Sequence, residues 1–135
     1  MSWRGISPGV EAASKGHDVI MTPNSHLYFD YYQTEGRNGG PILIGGYVPL
    51  EKVYSLNPIP DDIPADLRSH IIGVQANLWT AYIAYTSIVE YQVLPRMAAL
   101  AEVQWTSAAK DYPDFLSRLS RLRELYGIYG YNVAK

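Results

Sequence analysis

The sequence predicts an α/β fold with parallel strand pairing, and two observations carry that expectation. Short apolar runs at residues 18–22 and 71–78 each end in polar and aromatic residues, as buried parallel strands do where they leave the core. Around them stand stretches with helical spacing, and strands alternating with helices favour crossovers over hairpins. The chain has 135 residues, within the range of one domain, and is read as a single unit over 1–135.

Composition narrows the function classes. With 47% hydrophobic and 18% charged residues the chain can bury a core, which argues against disorder. A net charge of −2 argues against nucleic acid or an anionic membrane as the main partner. The absence of cysteine excludes a disulfide framework and thiolate metal sites. No apolar run reaches membrane-spanning length. The aromatics comprise 12 Tyr and 3 Trp against 2 Phe, a bias toward flat apolar faces with polar tips, which suits carbohydrate.

Each element follows in order. Met1-Ser-Trp-Arg-Gly5 opens the chain on a loop-like segment without a preceding strand, and it reads as the start of a fragment whose upstream part is missing. Residues 10–15, with Pro8 ahead and Gly16 behind, predict a short helix closed by a glycine cap. The strand at 18–22 is ended by Pro23 and Asn24, and residues 25–33 are polar and aromatic. Residues 34–66 are loop-rich, with turn chemistry over 34–41, one or two helical turns at 49–54 and a proline-punctuated connector at 57–64. The second strand spans 71–78 and delivers Trp79 at its exit.

Residues 87–105 predict a helix with Ile88, Tyr91, Leu94, Met97, Ala98, Ala101 and Trp105 on its apolar face, Trp105 among the core residues. Pro95 kinks or divides it, and Arg96 is placed to tie it to a neighbour. A last helix over 111–126 begins near Pro113, buries Phe115, Leu119, Leu122 and Tyr126, and ends at Gly127. A closed (β/α)₈ barrel needs about 250 residues, so this chain could supply its last two or three units.

Candidate chemistry gathers at the two strand exits. Tyr28 and Asp30 are two residues apart, a spacing that shares a face in an extended segment; a packed Tyr beside a surface Asp is the equal alternative. Trp79 is the candidate floor of a site, although Trp79 and Trp3 also read as ordinary core aromatics. His17, His26 and His70 lack metal-ligand spacing, and Gly39-Gly40 and Gly45-Gly46 lack the context of a phosphate loop. No metal or cofactor is therefore expected. Glycoside hydrolysis needs a carboxyl pair, or one carboxyl helped by the substrate, and no acid/base dyad is readable here.

Several collinear motifs carry a resemblance: Trp3-Arg-Gly, Gly16-His-Asp-Val-Ile-Met-Thr-Pro23, Tyr28-Phe-Asp-Tyr-Tyr-Gln33, Gly45-Gly-Tyr-Val-Pro-Leu-Glu-Lys-Val-Tyr54, Gly73-Val-Gln-Ala-Asn-Leu-Trp-Thr80 and Glu90-Tyr-Gln-Val-Leu-Pro-Arg-Met-Ala-Ala-Leu-Ala-Glu-Val-Gln-Trp105. Together they resemble the C-terminal part of the catalytic barrel of family 20 glycoside hydrolases, the β-N-acetylhexosaminidases. The resemblance implies an incomplete TIM barrel holding its last two or three βα units and a C-terminal helix. It also implies removal of terminal β-linked N-acetylglucosamine or N-acetylgalactosamine, with the substrate's acetamido oxygen as internal nucleophile. The acid/base Glu and its partner Asp belong to a His-x-Gly-Gly-Asp-Glu motif that this sequence does not contain.

The binding half of such a site is what the resemblance carries over. Tyr28 matches the tyrosine that orients the acetamido oxygen, and Asp30 the aspartate that holds a sugar hydroxyl. Trp79 matches the tryptophan beneath the sugar ring, and Trp3 a wall of the acetamido pocket. Ala81 stands where the family usually has Glu, a loss worth roughly 1.5–3 kcal/mol of sugar binding. The expected partner is an N-acetylhexosamine-containing glycan, with self-association or a separate barrel half covering the open edges. A non-catalytic carbohydrate-binding or assembly module is the alternative.

Overall fold

Parallel pairing forms where the two apolar runs lie. In the computed structural model, which describes residues 1–35, 40–106 and 109–135, β1 (Val19–Met21) lies beside β2 (Ile71–Val74). Val19 pairs with Ile71, and after a register shift Ile20 pairs with Gly73 and Met21 with Val74. Ser2 adds a one-residue parallel bridge to Met21 on the opposite edge of β1. The helices in chain order are α1 (Ser7–Ser14), α2 (Asn24–Leu27), α3 (Leu50–Tyr54), α4 (Ala65–Arg68), α5 (Thr86–Val93), α6 (Arg96–Trp105) and α7 (Tyr112–Ile128). The single turns α2 and α4 escape sequence reading because four residues are too few to display a helical period. The turn chemistry expected over 34–41 falls partly on residues 36–39, outside the described residues.

Two apolar clusters hold these elements. Ala13 of α1 packs with Val19, Met21, Ile63 and Ile71, closing one face of the strand pair. The larger cluster joins Leu27 and Phe29 to Val53 and Tyr54 of α3, Ala99 and Leu100 of α6, and Phe115 and Leu119 of α7. Within it the Phe115 ring stacks on Tyr54 at 4.8 Å.

Two sequence expectations are corrected. Pro95 divides the long helix into α5 and α6, but the buried face of α6 carries Arg96, Ala99 and Leu100 rather than Met97, Ala101 and Trp105. Trp105, expected in the core, is 88% exposed. Nine residues, roughly two and a half turns, separate it from Arg96, so once Arg96 is drawn inward Trp105 must face out. Gly127 does not end α7, which continues to Ile128. Instead Gly130, at φ 71°, supplies the left-handed residue, with Gly130 N–H donating to Gly127 and Tyr131 N–H to Tyr126. The Tyr126 and Tyr131 rings meet edge-on at 6.1 Å, the apolar contact that accompanies such a cap.

The start of α7 is as the composition suggests: the Asp111 carboxyl accepts the Asp114 N–H at 2.9 Å, and Pro113 sits in the first turn. Arg118 then clasps Glu102 of α6 in a two-pronged ion pair and Asp114 at 2.8 Å. Because Phe115 is the ring through which α7 reaches the core, Phe115→Ala should cost about 3–5 kcal/mol of stability, read as a fall in the urea midpoint.

Candidate functional site

Tyr28 and Asp30 reach a common neighbourhood by a route the alternation of an extended strand does not provide. After β1 the chain makes the single turn α2 and then rejoins the line of the sheet, where Tyr28 forms a parallel bridge with Asn77. Phe29 N–H donates to Asn77 at 2.7 Å and Asn77 N–H to Leu27 at 2.8 Å. The chain then turns, with Tyr31 N–H on the Tyr28 carbonyl at 3.2 Å, so Asp30 sits in a turn rather than an extended segment.

Trp79 joins the two. Its ring meets the Tyr28 ring edge-on at 6.4 Å, and its main-chain N–H hydrogen-bonds the Asp30 carboxyl. Trp79 is 57% exposed, so its face is open to solvent, whereas Asp30 is buried. Tyr31 braces Tyr28 from another side at 5.6 Å. Gly46, at φ +73°, lies so close to the Tyr31 ring that a Cβ there would overlap it, which explains the Gly45-Gly46 pair better than a phosphate loop does.

Trp3 follows directly on the Ser2 bridge to Met21, and its carbonyl accepts the Asn24 N–H at 2.9 Å. Its ring is 47% exposed and takes a different neighbour, the Arg4 guanidinium at 5.0 Å. Three strand exits thus present Trp3, Tyr28 with Asp30, and Trp79. Among these residues, Trp79 meets both Tyr28 and Asp30.

Side chains that sequence reading did not single out fasten the exits together. Asn77 donates to the Thr22 hydroxyl at 2.5 Å and accepts from Gln75 at 2.9 Å, linking the ends of β1 and β2. The signal available was the polar pair Gln75 and Asn77, two apart at the end of an apolar run. His26 is not engaged with Tyr28 or Asp30. It pairs with the Ser25 hydroxyl at 2.8 Å, and burial, then Lys52 and Lys110, lowers its pKa.

Asp30 is the one buried carboxylate among the described residues. Burial pushes its pKa up, against the opposing pull of the backbone hydrogen bonds at Asp30 and Trp79 and of the Arg96 charge. Its Oδ1 is buried and has no hydrogen-bond partner among the described residues, an unsatisfied acceptor on the carboxyl that Trp79 contacts. Larger grooves lie elsewhere. One of about 340 Å³ between α6 and α7 is lined by Ala98, Ala101, Trp105 and Leu122, with Glu102 and Arg118 neutralising each other at its rim. Another of about 400 Å³ runs between β2 and α6 past Ile72 and Trp105. Neither gathers unpaired polar groups among the described residues.

Comparison with known proteins identifies the family. The family description "Glycosyl hydrolase family 20, catalytic domain" matches residues 1–108. A β-hexosaminidase of Porphyromonas gingivalis is 46% identical over 134 residues, covering 98% of this chain and 17% of that protein. A β-N-acetylhexosaminidase of Cellulomonas fimi is 33% identical, covering 85% of this chain and 23% of its own length. Among solved structures, a family 20 exo-β-N-acetylglucosaminidase of Vibrio harveyi in complex with N-acetylglucosamine superimposes with a TM-score of 0.86 at 33% identity. It covers 99% of this chain and 21% of that one. The chain therefore spans roughly a fifth of the length of these relatives.

The raised pKa of Asp30 fixes the sign of a pH effect. A carboxyl that titrates higher when folded than unfolded favours the folded state at low pH, and that advantage is lost as pH rises through its folded pKa. Above that pKa the buried charge is a net cost. Asp30→Asn should accordingly raise Tm at pH 7, and the gap from wild type should close as pH falls through the aspartate range; thermal melts across pH check this.

Proposed function

The chain belongs to glycosyl hydrolase family 20, and from that premise we propose that it is the C-terminal portion of a (β/α)₈ catalytic domain carrying the sugar-binding half of a β-N-acetylhexosaminidase site. On this reading residues 1–135 form one partial barrel domain, with β1 and β2 as two of its strands and α7 as its closing helix. The observation that supports it best is the triad at the strand exits: one residue, Trp79, touches the Tyr28 ring with its indole and the Asp30 carboxyl with its backbone.

The proposed ligand is a terminal β-linked N-acetylhexosamine. The exposed Trp79 face underlies the C–H surface of the sugar, and the Asp30 carboxylate accepts one of its hydroxyls. The Tyr28 hydroxyl donates to the acetamido oxygen and aims it at the anomeric carbon; in the complete site its attack breaks the glycosidic C–O bond, the leaving oxygen takes the proton of the general acid Glu, and an oxazolinium results. Trp3 walls the acetamido group. Ala81, exposed just past Trp79, supplies no second carboxylate, so Asp30 carries the hydroxyl recognition alone. The general acid/base Glu and its neighbouring Asp are not in this sequence, and the chain by itself binds without turning over.

Two measurements test this reading. Pure chain should leave a chromogenic N-acetylglucosaminide intact; turnover that falls sharply in Tyr28→Phe would refute the inactive-half assignment. Saturation-transfer NMR should detect N-acetylglucosamine with a Kd weaker than about 1 mM, with the signal lost in Trp79→Ala.

A partner follows from the surface. The outer edge of β2 has no strand beside it among the described residues, Ile72 on it is 60% exposed, and Trp105 stands exposed across the adjoining groove. An open edge flanked by apolar side chains associates with another copy or with the complementary barrel half. Light scattering should show assembly rising with concentration, whereas a monomer persisting at high concentration contradicts it.

A further inference from the structure

Resting on that reading of the site, we propose that Arg96, with Gln92 beside it, is a positioning residue for sugar binding. From inside the core it grips the turn that carries Tyr28 and Asp30. Arg96 is completely buried, yet among the described residues its hydrogen bonds all go to main-chain carbonyl groups and none to a carboxylate. Nη1 donates to Tyr31 at 3.2 Å and to Val48 at 2.9 Å. Nη2 donates to Phe29 and to Gln92, and Nε to Gln92 at 3.0 Å. Gln92 Nε2 repeats the pattern, reaching Phe29 at 2.8 Å and Tyr31 at 3.3 Å.

The choice of carbonyls is what points to the site. Phe29 and Tyr31 flank Asp30 in sequence, so the two side chains fix peptide planes on both sides of it. The guanidinium also lies 4.6 Å from the Phe29 ring, which draws that ring inward between the outward Tyr28 and the Asp30 turn. Through Val48, whose own N–H donates to Tyr32 at 2.8 Å, the same group ties in the segment behind Tyr31. Filling this volume alone would need neither a planar fork nor a charge. A fork that reaches four carbonyls in three segments is what sets the direction of a turn. The positive charge also lies near Asp30, favouring the ionised carboxylate that accepts a sugar hydroxyl.

The test uses NMR spectra of the full chain without ligand. Arg96→Lys keeps the charge and removes the fork; Gln92→Met keeps the shape and removes the second donor. Leu119→Ala, in the core but away from the turn, gives the baseline for general destabilisation. We expect Arg96→Lys, and to a smaller degree Gln92→Met, to shift the Trp79 amide and Tyr28 ring resonances more than Leu119→Ala does, with loss of the N-acetylglucosamine saturation-transfer signal. A folded Arg96→Lys chain whose Trp79 and Tyr28 resonances stay at their wild-type positions overturns the proposal. If that variant does not fold, unmoved resonances in Gln92→Met overturn it instead. The sugar assignment fails separately, when N-acetylglucosamine gives no signal with wild type or one that Tyr28→Phe leaves intact; the ligand-free resonances still decide the role of Arg96.

Discussion

A single buried cation organises this chain. Arg96 has no solvent exposure and its pKa is lowered to about 9, chiefly by burial, with Asp30 and Tyr91 opposing that fall. A charge can stay in such a place only if its donors are satisfied. Here the main chain does it: carbonyls of Phe29, Tyr31, Val48 and Gln92 converge on the guanidinium. A buried carbonyl left without a donor costs about 1–3 kcal/mol, and the guanidinium supplies donors to all four, with Gln92 Nε2 sharing those of Phe29 and Tyr31. The cation and the irregular segments therefore depend on each other, because residues 28–33 and 40–48 have little regular structure to satisfy their own polar groups.

From that constraint the rest of the layout follows. Drawing Arg96 inward sets the rotation of α6, which places Ala99 and Leu100 against Val53, Tyr54 and Phe115 and leaves Trp105 outside. The same grip holds the backbone of Phe29 and Tyr31, so the turn at Asp30 keeps its shape while Asp30 Oδ1 and Gln92 Oε1 stay without partners among the described residues. The two parallel strands are too short to order these groups unaided. The Thr22–Asn77–Gln75 links and the Tyr28–Asn77 bridge extend their register to the point where Trp79 emerges.

Much of the architecture could be read from the chain alone, because local signals and tertiary packing agree. The apolar runs became β1 and β2, Gly16 took the left-handed conformation after α1, and Pro95 separated α5 from α6. Gly127 and Gly130 offered two places to stop α7; the choice fell to Gly130 because Tyr131 could then pack on Tyr126, a contact that no glycine by itself announces. The face of α6 was misread for a similar reason. Hydrophobicity favoured Met97, Ala101 and Trp105, while the stronger requirement was to bury an arginine that had carbonyls waiting for it.

Sequence by itself determined the α/β class, the parallel run of its strands, and the family motifs at 3, 28–30 and 79, since each is encoded in a few adjacent residues. Tertiary structure alone decided that Tyr28, Asp30 and Trp79 stand together. Nearly fifty residues separate the first two from the third, and their meeting depends on strand register, a one-turn detour and a cation reaching across from α6. Contacts between distant segments are settled by which arrangement leaves fewest buried polar groups unmet, and that sum is taken over the whole fold.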